Sequence, residues 1–315
     1  MSGIPVPAVS IGLPVFNGDK FLAAAISNIL AQTFDDFELI ISDNGSSDRT
    51  EEICLQFAAS DPRIRYIRQP KNLGAARNFN FVLQEARGRY FKWAAHDDLI
   101  EPDFVEKCVA ELDADQKCVL AFARTILIDE SGAPQMGYLD LMNTTSDDTA
   151  ERFRRYMVPH VGEPNPIFGV MRREIVAEHC VFGNFVSADL VLLGHLPLLG
   201  TIRLVNEPLF LRRIHPGISV NTHPDHLSRE EWFTGQKASG LRFRNLRLTR
   251  EFSRLIKSVQ MSKSERIRCY IVLLEWAWRG RQRFLKEFAL PFYANGFPTG
   301  FGRWVHRRIF ADSKI

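Results

Sequence analysis

Cysteine is scarce and unpatterned. The five residues Cys54, Cys108, Cys118, Cys180 and Cys269 are odd in number, scattered, and never spaced C-x-x-C. That argues against a disulfide framework or a cysteine-built zinc site and suits a reducing compartment. No uncharged run approaches the roughly 18–20 residues that would span a bilayer. The most apolar one, Leu190–Ile202, is broken by His195 and Pro197. The first residues lack a basic n-region and hold Pro5, Pro7 and Pro14, so no secretory signal is expected. No G-x-G-x-x-G follows the first apolar run, which counts against a nicotinamide-dependent enzyme. Internal repeats and low-complexity tracts are missing as well.

What is present suits a soluble globular chain of 315 residues, with 45% hydrophobic and 24% charged residues. The net charge of +3 hides an asymmetry. Leu241–Ile315 holds 17 Lys/Arg against 5 Asp/Glu, whereas the first 240 residues hold 23 against 32. An acidic body with a basic tail implies that the tail has an anionic partner of its own.

Apolar runs alternate with segments of helical spacing along the first half. Ala8–Phe16 (AVSIGLPVF), Phe37–Ser42, the alternating Arg63–Arg68, Tyr90–Ala95 and Val119–Ile128 are expected strands. Between them, Lys20–Gln32, Asp48–Ala59, Gly74–Ala86 and Pro102–Leu112 are expected helices. Such alternation with short loops predicts a parallel sheet with helices on its faces, whose ligand lies beyond the carboxyl ends of the strands. Past residue 130 the pattern loosens, with a helix expected around Thr149–Met157 and strands at Ile167–Met171 and Leu204–Ile214. From Glu230 onward the chain reads as helical, basic and aromatic.

Three of the predicted strand ends carry polar punctuation: Asn17-Gly18, Asp43-Asn44-Gly45-Ser46 and His96-Asp97-Asp98. The last is the most demanding. Two adjacent carboxylates repel, and burying either one unpaired is costly. Either they cap the helix that Glu101-Pro102 begins, or something positive binds there.

Taken in order, VSIGLPVFNG, AQTFDDFELIISDNGSSDRT, NLGAARNFNF and GRYFKWAAHDD resemble the inverting glycosyltransferases of family 2. The resemblance covers about the first 220 residues. It implies an α/β fold with a single nucleotide-binding domain of the A type, built on a mixed or parallel sheet. That domain would cover residues 1–225, followed by a helical basic region over 226–315. The activity implied is inverting, metal-dependent transfer from a UDP or dTDP sugar to a hydroxyl acceptor, in surface-polysaccharide or lipid-linked glycan assembly.

The resemblance also implies residue roles. Pro14, Phe16 and Asn17 would line the base and ribose, and Asp43 would accept a hydrogen bond from the base. An ionised carboxylate can only accept, which suits the N3–H of uracil or thymine. An ordinary Asx turn at Asp43 is the alternative. Arg77 falls where the family often has an Arg near the nucleotide. Asp97 matches the second carboxylate of a D-x-D element and would hold Mn²⁺ or Mg²⁺ with the diphosphate oxygens. Ala95 stands where the first aspartate is usual, so Asp98 is assigned part of the nucleotide contact. In FVSADLVLL, Asp189 matches the catalytic base, with Ala188 in place of the usual Glu. In LFLRRIHPGISV, His215 would bind the metal or the diphosphate, and Arg213 the phosphate or sugar side. Phe168 and Gly169 would line the sugar and acceptor. His223 and His226 lack a third ligand and are read as loop residues.

Two other readings compete: a catalytically silent nucleotide-sugar binder, because Ala95 and Ala188 replace acids, and a nucleotidyltransferase. The N-terminus lacks the Gly-rich loop and Lys or Arg that a nucleotidyltransferase usually begins with. In the tail, Ser264–Leu290 interleaves aromatics with arginines, as do Arg303, Trp304, Arg307, Arg308 and Phe310. That pattern suits a helix on an anionic membrane surface, or a subdomain packed on the catalytic unit. No nucleic-acid motif accompanies the charge. The expected location is cytoplasmic, peripheral at the inner membrane face.

Overall fold

The computed structural model of the chain describes residues 6–137, 142–158, 164–237 and 243–294. The predicted alternation is present as β1 (Val9–Val15), α1 (Asp19–Leu30), β2 (Phe37–Asp43), α2 (Thr50–Ser60), β3 (Ile64–Arg68), α3 (Ala75–Gln84) and β4 (Tyr90–Trp93). A two-residue β5 (Leu99–Ile100), α4 (Phe104–Ala114), β6 (Cys118–Ile128) and β7 (Pro134–Gly137) follow. Next come α5 (Thr149–Met157), β8 (Val170–Arg172), α6 (Arg173–His179), α7 (Ala188–Leu199) and β9 (Thr201–Arg213). The chain continues with α8 (Ser219–Thr222), α9 (His226–Thr234), α10 (Arg244–Ser258), α11 (Lys263–Arg279) and α12 (Arg281–Ala294).

The described strands form one sheet in the order β3-β2-β1-β4-β8-β6-β9-β5, with β7 beside β6. β1 to β4 are mutually parallel, but β8 runs antiparallel to both β4 and β6. The sheet is therefore mixed, and the fully parallel alternative does not hold. The cause is local. Ile167–Met171 is not one strand, because Asn165–Phe168 winds into a 3-10 turn and only Val170–Arg172 pairs. Two antiparallel steps restore the original direction, so β6 and its parallel neighbour β9 end on the same edge as β1, β2 and β4. β2 and β3 lie on one side of β1 and β4 on the other, which makes the β1/β4 junction a topological switch point.

Strand alternation divides the apolar side chains between two cores. Val9, Ile11, Leu13, Leu39 and Ile41 face α1, α2 and α4. Ile40, Phe91, Trp93, Leu120 and Phe122 face the opposite way, into a core shared with α5, α7, α10 and α11. The C-terminal helices are thus welded to the sheet's second face, through Leu248, Phe252, Ile256, Val272, Leu273 and Trp276. Their starts are coded locally. Asp225 caps α9, and Ser262 with Glu265 forms a capping box on α11.

Helix α11 has two different faces. Cys269, Val272, Leu273 and Trp276 are buried, while Ile267, Ile271, Leu274 and Trp278 are 60%, 55%, 69% and 70% exposed. The exposed four follow i, i+4, i+7, i+11 spacing, so they form one stripe. The packed-subdomain reading of this segment thus holds for its buried face, and the exposed stripe lies on the opposite side of the helix. Arg303, Trp304, Arg307, Arg308 and Phe310 lie outside the described residues.

One contact ties α9 to the sheet edge. Gly74, before α3, and Gly235, after α9, both have positive φ (86° and 68°) and touch backbone to backbone. A Cβ on Gly74 would lie 2.3 Å from Gly235 N, and one on Gly235 would lie 2.6 Å from Leu73 O. Only glycine fits at either position.

Candidate active site

The β1 and β2 ends are clipped together. Asn17, at φ 50°, donates its N–H to Ser46 Oγ at 2.9 Å, and its Oδ1 accepts the Ser47 N–H at 2.9 Å. Gly18 N–H donates to Thr50 Oγ1 at 2.9 Å. Phe16 and Asn17 are exposed on this rim, whereas Pro14 is buried within β1. Asp43 is fully buried. Its Oδ1 accepts the Ser46 N–H at 2.8 Å and its Oδ2 accepts the Tyr66 hydroxyl at 3.0 Å. The Asx-type turn is therefore real, and Tyr66 is a partner the sequence did not single out. Burial, and then the Asp43 carboxylate, push the Tyr66 phenol upward. Arg77 is exposed in the first turn of α3. Asn44 Oδ1 holds Leu73 N–H at 2.8 Å, fixing the loop that precedes that turn.

Across the switch point, Asp97 and His215 meet. His215 Nε2 lies 3.0 Å from Asp97 Oδ2, and Gly217 N–H donates to His215 Nδ1 at 3.2 Å. An accepting Nδ1 leaves the neutral ring's proton on Nε2, where it donates to Asp97. The imidazole also packs on Phe21, with ring centroids 4.7 Å apart. An open cleft of about 600 Å³, lined by Asp129, Ser131, Ile214 and His215 among others, adjoins the pair.

Arg213 and Asp98 support this pair. Asp98 Oδ1 accepts the backbone N–H of Arg213 at 2.9 Å. The buried Arg213 guanidinium donates to the carbonyls of Asp97 (2.8 Å), Asp129 (3.0 Å) and Glu130 (2.8 Å), and lies 4.9 Å over the Phe21 ring. These contacts fasten the β4 end to the β9 end. Burial, together with the neighbouring Asp97 charge, holds the Asp98 carboxyl above the usual range. Lys92, buried in the middle of β4, was also missed. Its ammonium donates to Phe168 O at 2.6 Å and Trp93 O at 3.0 Å, and burial lowers its pKa to about 8.

Phe168 stacks on Phe210 with centroids 5.5 Å apart, and Gly169 is pressed so tightly on β6 that a Cβ would lie 2.5 Å from Ala121 O. Phe168 thus packs on β9 and Gly169 on β6. Asp189 stands in the first turn of α7, where the helix dipole favours a carboxylate. Ser187, just before it, is left-handed at φ 72° and accepts a hydrogen bond from Arg244 Nε at 2.8 Å. Burial, and then the Asp189 charge, raise the pKa of Tyr156, whose hydroxyl donates to Leu190 O at 2.6 Å. Arg244 is a neighbour that nothing in the sequence tied to Asp189.

Comparison with known proteins agrees with this geometry. The family described as Glycosyl transferase family 2 matches residues 10–179. Glycosyltransferase GlyG of Streptococcus pneumoniae is 24% identical over 304 residues, 87% of this chain and 97% of its own length. Chondroitin synthase of Escherichia coli is 36% identical over 127 residues, 40% of this chain and 18% of that protein. The chain spans about a fifth of the length of relatives such as this one. The crystal structure of S. aureus TarS in complex with UDP-GlcNAc superposes with a TM-score of 0.65 at 13% identity, over 89% of this chain and 79% of that one. The sheet and helices thus have the A-type glycosyltransferase fold. Because the family match spans more than half of the residues, including the strands whose ends form the rim described above, this chain belongs to glycosyl transferase family 2.

Proposed function

We propose that the chain transfers a glycosyl group, with inversion, from a nucleoside-diphosphate sugar of the UDP or dTDP type to an acceptor hydroxyl. The observation that carries this reading is the meeting of Asp97 and His215 at 3.0 Å on the edge where β1 and β2 also end. Phe16 and Asn17 line the nucleotide rim, and Asp43 keeps lone pairs beyond its two internal bonds for an N–H of the base.

Among the described residues, no group of three or more His, Cys, Asp or Glu could hold a metal ion alone. A carboxylate with one imidazole nonetheless fits Mn²⁺ or Mg²⁺, provided that the diphosphate supplies the remaining oxygens. Asp97 would hold the ion, joined by His215 Nε2 in the tautomer that carries the ring proton on Nδ1. When bound, the ion offsets charge on the departing nucleoside diphosphate. Similarity to the structure titled mannosyltransferase PcManGT from Pyrobaculum calidifontis in complex with GDP-Man and Mn2+ supports a divalent ion.

Asp189 takes the acceptor hydroxyl proton as that oxygen attacks the anomeric carbon and the bond to the diphosphate oxygen breaks. One displacement inverts the centre, so no second carboxylate is required. Glycan or lipid-linked acceptors in surface-polysaccharide synthesis suit this reading. The exposed apolar stripe of α11 supports a peripheral, cytoplasmic placement on an anionic membrane face. Lys263–Ala294 carries seven Lys/Arg against three Asp/Glu, and among the described residues no helix is long and apolar enough to cross a membrane. Residues 1–225 would form the catalytic unit and 226–315 the region that orients it.

A second reading, a silent nucleotide-sugar binder, draws on Ala188, which is 1% exposed within the core where the family usually has a glutamate. Nucleoside diphosphate release from UDP-, dTDP- and GDP-sugars with Mn²⁺ separates the two. No release from any of them rejects transfer.

A further inference from the structure

We propose that the cleft between Phe185-Val186 and helices α9 and α10 seats a phosphoryl group carried by the acceptor. This inference rests on the transfer reading with Asp189 as base, and it names what the acceptor carries. The cleft has a volume of about 520 Å³, and its charged lining is Arg244, Arg247, Arg250 and Arg254 with Glu230 and Glu251. The arginines recur at three- and four-residue spacing along α10, so they share one face of the helix.

The two carboxylates do not neutralise this face. Glu251 pairs with Arg254 at 2.9 Å. Glu230, 1% exposed, lies 3.9 Å from Arg247 and 3.7 Å from His226 within the wall. Within the lining, four guanidinium groups against two carboxylates leave an excess of two positive charges, while Asp189 and Glu287 act on Arg244 from beside it. A phosphoryl group, with about −1.5 to −2 charge and several acceptor oxygens, matches that excess and the forked geometry of arginine.

Although the arginines reach solvent, two contacts fix members of the set. Arg247 lies over the Phe185 ring, 4.5 Å from its centroid, which favours one position of its guanidinium before anything binds. Arg244 reaches Ser187, two residues before Asp189, so the cleft and the proposed base share a wall. Phe243 and Leu246 add an apolar margin that would accept the carrier of the phosphoryl group. No residue of the lining belongs to the β1, β2 or β4 ends, so the donor diphosphate is not the occupant implied.

The test is isothermal titration of the full chain in EDTA with inorganic phosphate, glucose 1-phosphate, and dodecyl phosphate below its micellar concentration. All three are expected to bind the parent protein. Arg247→Gln combined with Arg250→Gln should weaken them roughly tenfold or more, as expected for losing charge-assisted hydrogen bonds to an oxyanion. Asp97→Asn should bind phosphate like the parent. Tighter glucose 1-phosphate would assign the group to a glycan, and tighter dodecyl phosphate to a lipid; either result supports the seat. Equal phosphate affinity in the parent and the double variant overturns it, as does a loss confined to Asp97→Asn. UDP binding with Mn²⁺ is titrated separately on the parent protein. Its absence alongside arginine-dependent phosphate binding would reject the transfer reading and not the cleft.

Discussion

His215 Nε2 and Asp97 Oδ2 lie 3.0 Å apart although 118 residues separate them in the chain. The contact makes Asp97 testable without unfolding the protein, because Arg213 grips the carbonyl of Asp97 and not its carboxylate. Asp97→Asn is expected to lower nucleoside diphosphate release steeply and to abolish any gain from added Mn²⁺, with an unchanged melting transition. Parent activity that persists in excess EDTA would remove the metal from this reading.

Asp189→Asn should leave nucleotide affinity nearly intact and lower transfer by about 10²–10⁴-fold, the usual span for a positioned proton acceptor. Single-turnover transfer and UDP titration on the same preparation separate the two quantities. A variant that transfers at the parent rate would point to another carboxylate.

For Asp43 the informative change is Asp43→Asn. The amide can still accept from Ser46 N–H and can still meet the Tyr66 hydroxyl, so the turn survives. Uridine nucleotides should nevertheless bind more weakly by roughly 1–3 kcal/mol, through loss of a charge-assisted bond. Tighter binding of GDP than of UDP by the parent protein would contradict the assignment.

Acid sensitivity should centre on His195, buried in α7 with Nδ1 bonded to His179 O at 2.8 Å and Nε2 unpartnered. Burial lowers its pKa from 6.5 to about 4. Between those values the unfolded chain takes up a proton that the folded chain refuses, so stability present above pH 6.5 is lost as the pH falls. The contribution amounts to about 3 kcal/mol. Urea unfolding of the parent and of His195→Leu at pH 7 and pH 4 should show a smaller loss in the variant. Equal losses would place the acid sensitivity elsewhere.

The α11 stripe predicts salt-sensitive pelleting with anionic liposomes. Leu274→Glu with Trp278→Glu should abolish pelleting while leaving the buried face of α11 untouched. Retention of the parent protein in the supernatant at low salt would leave the stripe without a lipid partner.

The strands that build the donor rim were readable because each is an apolar run closed by Asn, Asp or Gly, and the sheet reproduces them within a residue or two. Past Asp98, α4, β6, α5 and β9 were readable too, but two short strands were not. β5 has two residues and β8 three, too short for any period to register. Lys92 interrupts an apolar strand, and only the fold supplies the two carbonyls that accept from it. The roles of Arg213, Asp98 and Arg244 depend on partners 83 to 116 residues away or on a neighbouring helix. Residue type marked them as charged, but distance in the chain hid what they hold.

The Gly74–Gly235 contact bears on how such chains can be recombined. Each glycine occupies the space that the other's side chain would need, so the loop before α3 and the end of α9 must be exchanged together. A chimera that imports the C-terminal helices of a relative must carry with them the relative's segment that corresponds to Leu73-Gly74. A graft cut between the two, from a relative without one of the glycines, would drive a side chain into the facing backbone.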